Sequence, residues 1–234
     1  MHMKRIALCI HDLRASEGEK IIRTINNVRE YFEAEKVTVN LVIDKDLSGD
    51  DKTFRYLKEE VEKKRLEIVF HGISHQCPAG TWKLFSWYHK NQAEFLSDIF
   101  QAETNRFRYN KLNEILQIRT GICPPCWIAS QAGWKFIKSL SPLYFEKLLS
   151  VNFNGKGFFS LPVSLASDNK NELYFLKGVA SLVSAVAILF HHKRLRLILH
   201  TIDIPNVDSI TFLKHQYHIL ILKGFSPVLQ KELT

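Results

Sequence analysis

Short apolar segments alternate with longer amphipathic segments along most of this chain, and this alternation restricts the fold more than any other sequence feature. The short segments have the length and composition of β-strands, whereas the longer ones carry apolar residues at helical spacing. The predicted strands are Arg5–Ile10, Val37–Ile43, Leu66–Phe70, Arg119–Cys123, Gly157–Leu161, Leu195–Leu199 and Phe225–Leu229. The predicted helices run from Ser16 to Phe32, then over Asp50–Lys64, Asn91–Leu116, Ala129–Leu140, Val179–His191 and Asp208–Lys223. Strands that alternate with helices indicate a parallel sheet with helices outside it.

The first predicted helix has a recognisable start signal. Glu19 follows Ser16 by three residues, which is the spacing of a capping box. We therefore expect Ser16 to be the N-terminal cap of this helix.

The length and composition favour one domain over residues 1–234. The chain has 46% hydrophobic and 24% charged residues, which is the composition of a folded globular protein. Its seven prolines and ten glycines leave no room for long low-complexity linkers. Barrel-type α/β folds of this length commonly form one domain.

The apolar segments are too short for targeting or membrane insertion. The run that begins at Ile6 is shorter than the apolar core of a signal peptide. The longest apolar stretch, Val179–Phe190, is shorter than the ~20 residues that cross a bilayer. We interpret it as a buried helix, and we expect a cytoplasmic protein without a membrane partner.

The formal net charge of +8 is the only general sign of an anionic partner. The basic residues are scattered, however, and their densest runs, Lys63–Arg65 and Lys193–Arg196, lie at the boundaries of predicted elements. This distribution favours a solvated surface over a nucleic-acid interface. We therefore expect no nucleic-acid partner.

Polar residues capable of chemistry follow three of the predicted strands. His11 and Asp12 follow the first strand, His71 and His75 the third, and His200 the strand that ends at Leu199. A closed barrel brings the carboxyl ends of distant strands to one mouth, whereas an open sheet gathers only the strands at its switch point. Imidazole and carboxylate are ligands for Zn²⁺ and similar cations. The pattern therefore indicates a barrel with a divalent-metal site at its mouth.

Five short motifs, in order, resemble the polysaccharide deacetylase (NodB-homology) superfamily, and most closely its DUF2334 branch. They extend from the first predicted strand almost to the end of the chain. The motifs are Ile10-His11-Asp12, His71–His75, Ala93-Glu94-Phe95, Pro124-Pro125-Cys126-Trp127 and Leu197–His200. The resemblance implies a distorted (β/α)₇-type barrel of mainly parallel strands.

The resemblance also implies a function and a set of roles. One divalent metal, Zn²⁺ by preference, would be held by Asp12, His71 and His75. The activity would be hydrolysis of an N-acetyl or similar amide on a small-molecule or oligosaccharide substrate. His200 matches the general acid by position, although Thr201-Ile202-Asp203 follows it where the family has proline.

The identity of the general base is open in the sequence. His11 stands where characterised deacetylases have an acidic base, so it is either the base or a residue that orients Asp12. Glu94 is the other candidate base, although a glutamate in the first turn of a helix is also common for stability. Arg119 and Trp127 are candidates for lining the substrate pocket, or they are ordinary flanking and packing residues.

Two alternative functions follow from features in which the sequence departs from the deacetylase pattern. His11 in place of an acidic base is compatible with a relative that binds metal and sugar without catalysis. Cys123 and Cys126 form a C-x-x-C pair, which is found in redox and zinc proteins. Two prolines separate these thiols and the chain has no second C-x-x-C pair, so we interpret the cysteines as incidental.

Overall fold

The computed structural model describes residues 3–49, 51–73, 99–124, 127, 131–153, 156–165, 170–190 and 193–233. His75, Glu94 and Cys126 lie outside the described residues. The strands are β1 (Lys4–Arg14), β2 (Val37–Val42), β3 (Leu66–Phe70), β4 (Gly121–Ile122), β5 (Tyr144–Lys147), β6 (Ser150–Phe153), β7 (Lys156–Phe159), β8 (Leu161–Ser164), β9 (Arg194–His200) and β10 (Phe225–Val228). The helices are α1 (Glu19–Phe32), α2 (Lys52–Glu62), α3 (Ile99–Leu116), α4 (Gln131–Ser139), α5 (Lys170–Leu189) and α6 (Val207–Leu222). Short 3₁₀ helices cover Ala15–Glu17 and Gln230–Leu233.

The strands form one ten-stranded, mostly parallel sheet that curls into a nearly closed barrel. Its order is β7-β6-β5-β4-β3-β2-β1-β9-β8, and β10 pairs with β1. β1 has three parallel neighbours because β10 pairs with its first residues, β2 with its later residues, and β9 with most of its length. Of the pairings between described strands, only those of β6 with β5 and β7 are antiparallel.

Arg196 of β9 connects the two sides of the barrel. Its guanidinium donates to the carboxylate of Glu146 on β5 at 2.8 Å, and the side chains of both residues are fully buried. The same guanidinium donates to the backbone carbonyls of Lys147, Leu148 and Ser160. β9 and β5 are far apart in the sheet order, so these contacts cross the interior and hold the sheet closed.

The prediction of a mixed α/β barrel of mainly parallel strands is confirmed, but the predicted strand pattern is not. The structure has strands β5 and β6, which were not predicted from the sequence. The predicted strand Gly157–Leu161 is divided between β7 and β8. No helix separates β5, β6, β7 and β8 in the described residues, so seven β/α repeats are not seen.

Two local predictions about helices were wrong. Ser16 does not cap α1; it lies in a 3₁₀ helix and donates its hydroxyl and backbone N–H to Asp44. Gly18, with a φ of 56°, precedes α1 instead. The stretch Val179–Phe190 is not a buried helix, because α5 begins at Lys170 and one of its faces is exposed.

The barrel interior is unusually polar for a mostly parallel sheet. The main apolar core lies between the helices and the outside of the sheet, where Ile21, Phe32 and Phe54 are fully buried. In contrast, Glu67 on β3 and Arg196 on β9 are buried charged residues of the same sheet. Buried polar groups are costly unless they are hydrogen-bonded, so the interior must be organised by specific contacts.

Glu67 makes folding stability depend on pH. Its carboxylate accepts from the Thr38 hydroxyl and the Lys231 backbone N–H, at 3.2 and 3.0 Å. Burial nevertheless raises the pKa of Glu67 from 4.5 to about 7. The folded chain therefore retains a proton that the unfolded chain loses above 4.5, and stability falls as the pH rises from there to about 7.

Glu67→Gln is expected to remove this dependence, because the amide oxygen can accept the same two hydrogen bonds. As the pH rises from acid to mildly alkaline, the parent should lose stability and the variant should not. The difference in the free energy of unfolding between variant and parent should therefore change by about 1–3 kcal/mol in favour of the variant, since one pKa unit corresponds to ~1.4 kcal/mol. Urea denaturation across this range measures the difference. Glu62→Gln, at an exposed position of α2, is the control and should follow the parent. An identical pH dependence in parent and Glu67→Gln would refute this account of Glu67.

Candidate active site

A bulge in β1 directs two consecutive residues to the mouth of the barrel. Side chains alternate between the two faces of a regular strand, so neighbours cannot normally share a site. The register between β1 and β2 shifts between Ile10 and Leu13, and Asp12 has a φ of 67°. A left-handed residue at a bulge re-aims side chains, and aspartate tolerates this conformation better than most residues. Because of this bulge, the side chains of His11 and Asp12 both face His71.

His71 follows β3 and is held by a contact on each ring nitrogen. Its Nδ1 lies 2.7 Å from the backbone oxygen of Cys123, and its Nε2 lies 3.2 Å from the Asp12 carboxylate. A carbonyl oxygen only accepts hydrogen bonds, so Nδ1 carries a proton and donates. Nε2 can then approach the carboxylate favourably only if a positive charge lies between them. A second proton or a metal ion would supply that charge.

The pKa of His71 follows from these contacts in the metal-free protein. Burial lowers it, but the Asp12 carboxylate and the Cys123 carbonyl outweigh this effect and raise the pKa above its usual value. The surroundings of Nε2 therefore favour a positive charge on the His71 ring.

His11 lies at the centre of the mouth and is 2% exposed. The side-chain nitrogen of Asn40 on β2 lies 2.9 Å from its Nε2 and fixes the ring. The rings of His71 and His200 lie 5.4 Å from the His11 ring, and that of Trp127 lies 5.3 Å away. Burial, followed by the neighbouring His200 and His71, lowers the pKa of His11 well below its usual value. His11 is therefore a neutral imidazole.

His200 is the last residue of β9 and is held through its Nδ1. The Ser164 hydroxyl lies 3.3 Å from this atom, and the carboxylate of Asp203 lies 3.5 Å from it. The same carboxylate accepts from the backbone N–H of His200 at 2.9 Å, which fixes Asp203. With Nδ1 engaged in this way, Nε2 is the nitrogen available for chemistry.

Trp127 forms one wall of the mouth. Its indole Nε1 lies 3.4 Å from the Glu146 carboxylate, and its ring lies 6.3 Å from that of His200. The residue has a φ of 57°, so its position depends on local backbone strain as well as on this hydrogen bond. The buried Arg196–Glu146 pair thus supports a side chain of the site.

Three possible ligand atoms are close enough to share one cation. Those of His11, Asp12 and His71 all lie within 4.8 Å of one another. The predicted ligand set was Asp12, His71 and His75, and the position of His75 lies outside the described residues. Two of the predicted ligands are therefore together, and His11 is beside them.

The structure does not bring every predicted site residue to the mouth. Arg119 is exposed and precedes β4, so it lies at the amino end of a strand whose carboxyl end reaches the site. The expectation that Arg119 lines the mouth with His71 and His200 is therefore corrected. Glu94 and Cys126 lie outside the described residues, and their predicted roles stay predictions.

Three residues of the site were not found by sequence reasoning. Asn40, Ser164 and Glu146 contact His11, His200 and Trp127 respectively. Asn40 offered a signal, since it is an amide in a strand segment that is buried throughout and has Thr38 as its other polar residue. Ser164 and Glu146 lie in strands without a clear sequence pattern, and only the tertiary structure reveals their roles.

Comparisons with known proteins provide no family for this arrangement. No protein-family model, no curated protein and no solved structure matches the chain.

Proposed function

We propose that this protein is a metal-dependent hydrolase that cleaves the C–N bond of an amide, with an N-acetylated carbohydrate as substrate. The observation that carries the proposal is the pair formed by Asp12 and His71. The Cys123 carbonyl fixes the proton of His71 on Nδ1, so Nε2 and the carboxylate face each other at 3.2 Å across a position that requires positive charge. A metal-ligating histidine is typically oriented by such a carbonyl.

The donor set suits Zn²⁺ or a similar cation. One carboxylate and two imidazoles, with one position left open for water, form a common catalytic zinc site. Asp12 and His71 would be two of the ligands, and His75 the third, with His11 beside them. When bound, such a metal lowers the pKa of its water toward ~7 and polarises the substrate carbonyl.

The residues around the ligands can perform the proton transfers of amide hydrolysis. His11 is buried and neutral, and its Nε2 can accept the proton of the attacking water once the Asn40 amide, which donates to that nitrogen, releases it. His200 can donate a proton from Nε2 to the leaving amine, because Asp203 and Ser164 hold its Nδ1. The half-buried ring of Trp127 provides an apolar wall against which a sugar ring can pack.

The overall architecture is compatible with this proposal. In the described residues six strands are each followed by an α-helix, as in a distorted (β/α)₇-type barrel. They are β1 to β4, β8 and β9. Strands β5 to β7 would then be an elaboration of that pattern. Active sites of β/α barrels lie at the carboxyl ends of the strands, where His71 and His200 are located.

Two other functions remain as alternatives. A protein that binds metal and sugar without hydrolysis would keep Asp12 and His71 but would have no turnover. A redox function of Cys123 has less support, because its thiol is buried and burial raises its pKa well above the usual value. Redox-active cysteines are thiolates with lowered pKa values.

Metal analysis tests the central element of the proposal. The purified protein should contain close to one equivalent of divalent metal, and Asp12→Ala, His71→Ala and His75→Ala should each lose most of it, since each removes a ligand. Cys123→Ser is the matched control and should keep its metal. Retention of metal in all three ligand variants would place the metal elsewhere. A separate assay for turnover of N-acetyl sugars distinguishes a hydrolase from a protein that only binds metal and sugar.

A further inference from the structure

α5 carries apolar side chains on two opposite faces. Its inner face packs on the main core, where Leu173, Ala180 and Ala187 are buried. The side chains of the other face, together with the residue after the helix, are between 41% and 76% exposed. This outer face of α5 consists of Tyr174, Phe175, Val179, Leu182, Leu189 and Phe190. A helix that only covers the core of a soluble protein has a polar outer face.

The helix could not cross a bilayer while keeping this packing. The segment Glu172–Leu189 is long and apolar enough to cross one by length and composition alone. Its inner face, however, contacts β8 and α6 and belongs to the core. Lipid could therefore contact only the outer face, with the helix lying parallel to the membrane.

The charge around α5 favours an anionic surface. Between Asp168 and Asp203 the sequence contains four Lys and Arg residues besides Arg196, which is buried inside the barrel, and Glu172 is the only acidic residue. Lys177 places its ammonium group 5.8 Å from the centre of the Tyr174 ring, at the edge of the outer face. Lys193 is exposed shortly after the helix ends. Aromatic and aliphatic residues bordered by lysines are typical of helices that lie in a membrane interface.

The net charge distinguishes between two possible partners of the outer face of α5, a second copy of the chain and a lipid surface. A second copy of the chain also carries a charge of +8, so two outer faces would approach against electrostatic repulsion. An anionic bilayer would attract the same charge. Charge complementarity therefore favours a lipid surface.

We propose that the outer face of α5 docks on the surface of membranes that contain anionic phospholipid. This inference replaces the expectation of no membrane contact, which rested on the length of the apolar stretch and on its supposed burial. It does not depend on the proposed hydrolase activity.

Co-sedimentation with vesicles tests the proposal. The chain of residues 1–234 should bind vesicles of phosphatidylglycerol and phosphatidylcholine, and bind far less to phosphatidylcholine alone. Binding should weaken as salt increases, because the electrostatic part is screened. Leu182→Glu should lower the partition coefficient at least about tenfold, because it removes a buried leucine contact and adds a charge that opposes the lipid.

Leu222→Glu is the matched control, because Leu222 is 85% exposed but lies at the end of α6. It should bind vesicles as the parent does, and circular dichroism should show both variants folded. Equal binding by Leu182→Glu and the parent would overturn the assignment of the face. Absence of binding to anionic vesicles at low salt would overturn the proposal. It would also be overturned if the parent is a dimer and Leu182→Glu makes it a monomer without changing vesicle binding.

Discussion

Arg196→Met is expected to lower the free energy of unfolding by about 3–5 kcal/mol, because it leaves the Glu146 carboxylate buried without its partner. The ion pair is fully buried, with a distance of 2.8 Å between the charged groups. The backbone carbonyls of Lys147, Leu148 and Ser160 would lose their donor in the same variant. Since these contacts join β9 to β5, the sheet should also become less closed.

An exposed ion pair provides the control for this prediction. Lys52 and Glu19 lie 2.8 Å apart, but their side chains are 71% and 62% exposed. Lys52→Met should therefore change stability by less than about 1 kcal/mol. Urea denaturation of both variants measures the contrast, and equal small effects would show that the buried pair does not hold the barrel together.

A double variant separates the buried charge from the lost hydrogen bonds. Arg196→Met combined with Glu146→Leu removes both charges, so it should be more stable than Arg196→Met alone. It should not regain the full stability of the parent, because the three carbonyl groups still lack a donor. The Trp127 indole loses its acceptor as well, so its fluorescence should change in the double variant.

The architecture was predictable where sequence periodicity reflects burial. β2 and β3 are buried along their whole length, and α1 buries Ile21, Ile25 and Val28 at helical spacing. In such segments the local pattern and the tertiary environment agree, and the predicted boundaries were correct within a few residues. β5 and β6 were missed because they have four residues each and few buried side chains.

α5 shows the limit of hydrophobicity as a guide to burial. The apolar stretch Val179–Phe190 correctly indicated a helix, but its composition does not reveal that only one face packs on the core. A sequence window reports how apolar a segment is, whereas burial depends on the neighbours that the fold provides. The outer face of α5 could be identified only from the structure.

The residues of the site could be predicted only where they follow a strand whose end could itself be predicted. His11, Asp12, His71 and His200 were found because they follow predicted strands. The bulge that turns both His11 and Asp12 to the mouth has no sequence signal, since it depends on the register with β2. Arg119 was misplaced because it was expected at the mouth although it begins the predicted strand Arg119–Cys123, and the amino end of a parallel strand lies away from the mouth.

His200→Ala is expected to lower the rate of amide hydrolysis on the order of 10²–10⁴-fold, which is the usual contribution of a general acid. Metal content should be unchanged, because His200 is not one of the proposed ligands, which are Asp12, His71 and His75. His215→Ala, at an exposed position of α6, is the matched control and should keep the activity of the parent. Full activity of His200→Ala on N-acetyl sugars would exclude His200 as the acid.

The same assay decides between His11 and Glu94 as the base. His11 adjoins Asp12 and lies at the centre of the mouth, so His11→Ala should lose activity by a factor on the order of 10²–10⁴ while retaining its metal. A parent profile of kcat/KM against pH with two limbs would report one base and one acid, and the limb that belongs to the base should disappear in His11→Ala. Loss of metal in His11→Ala would make His11 a ligand. An active His11→Ala together with an inactive Glu94→Gln would assign the base to Glu94.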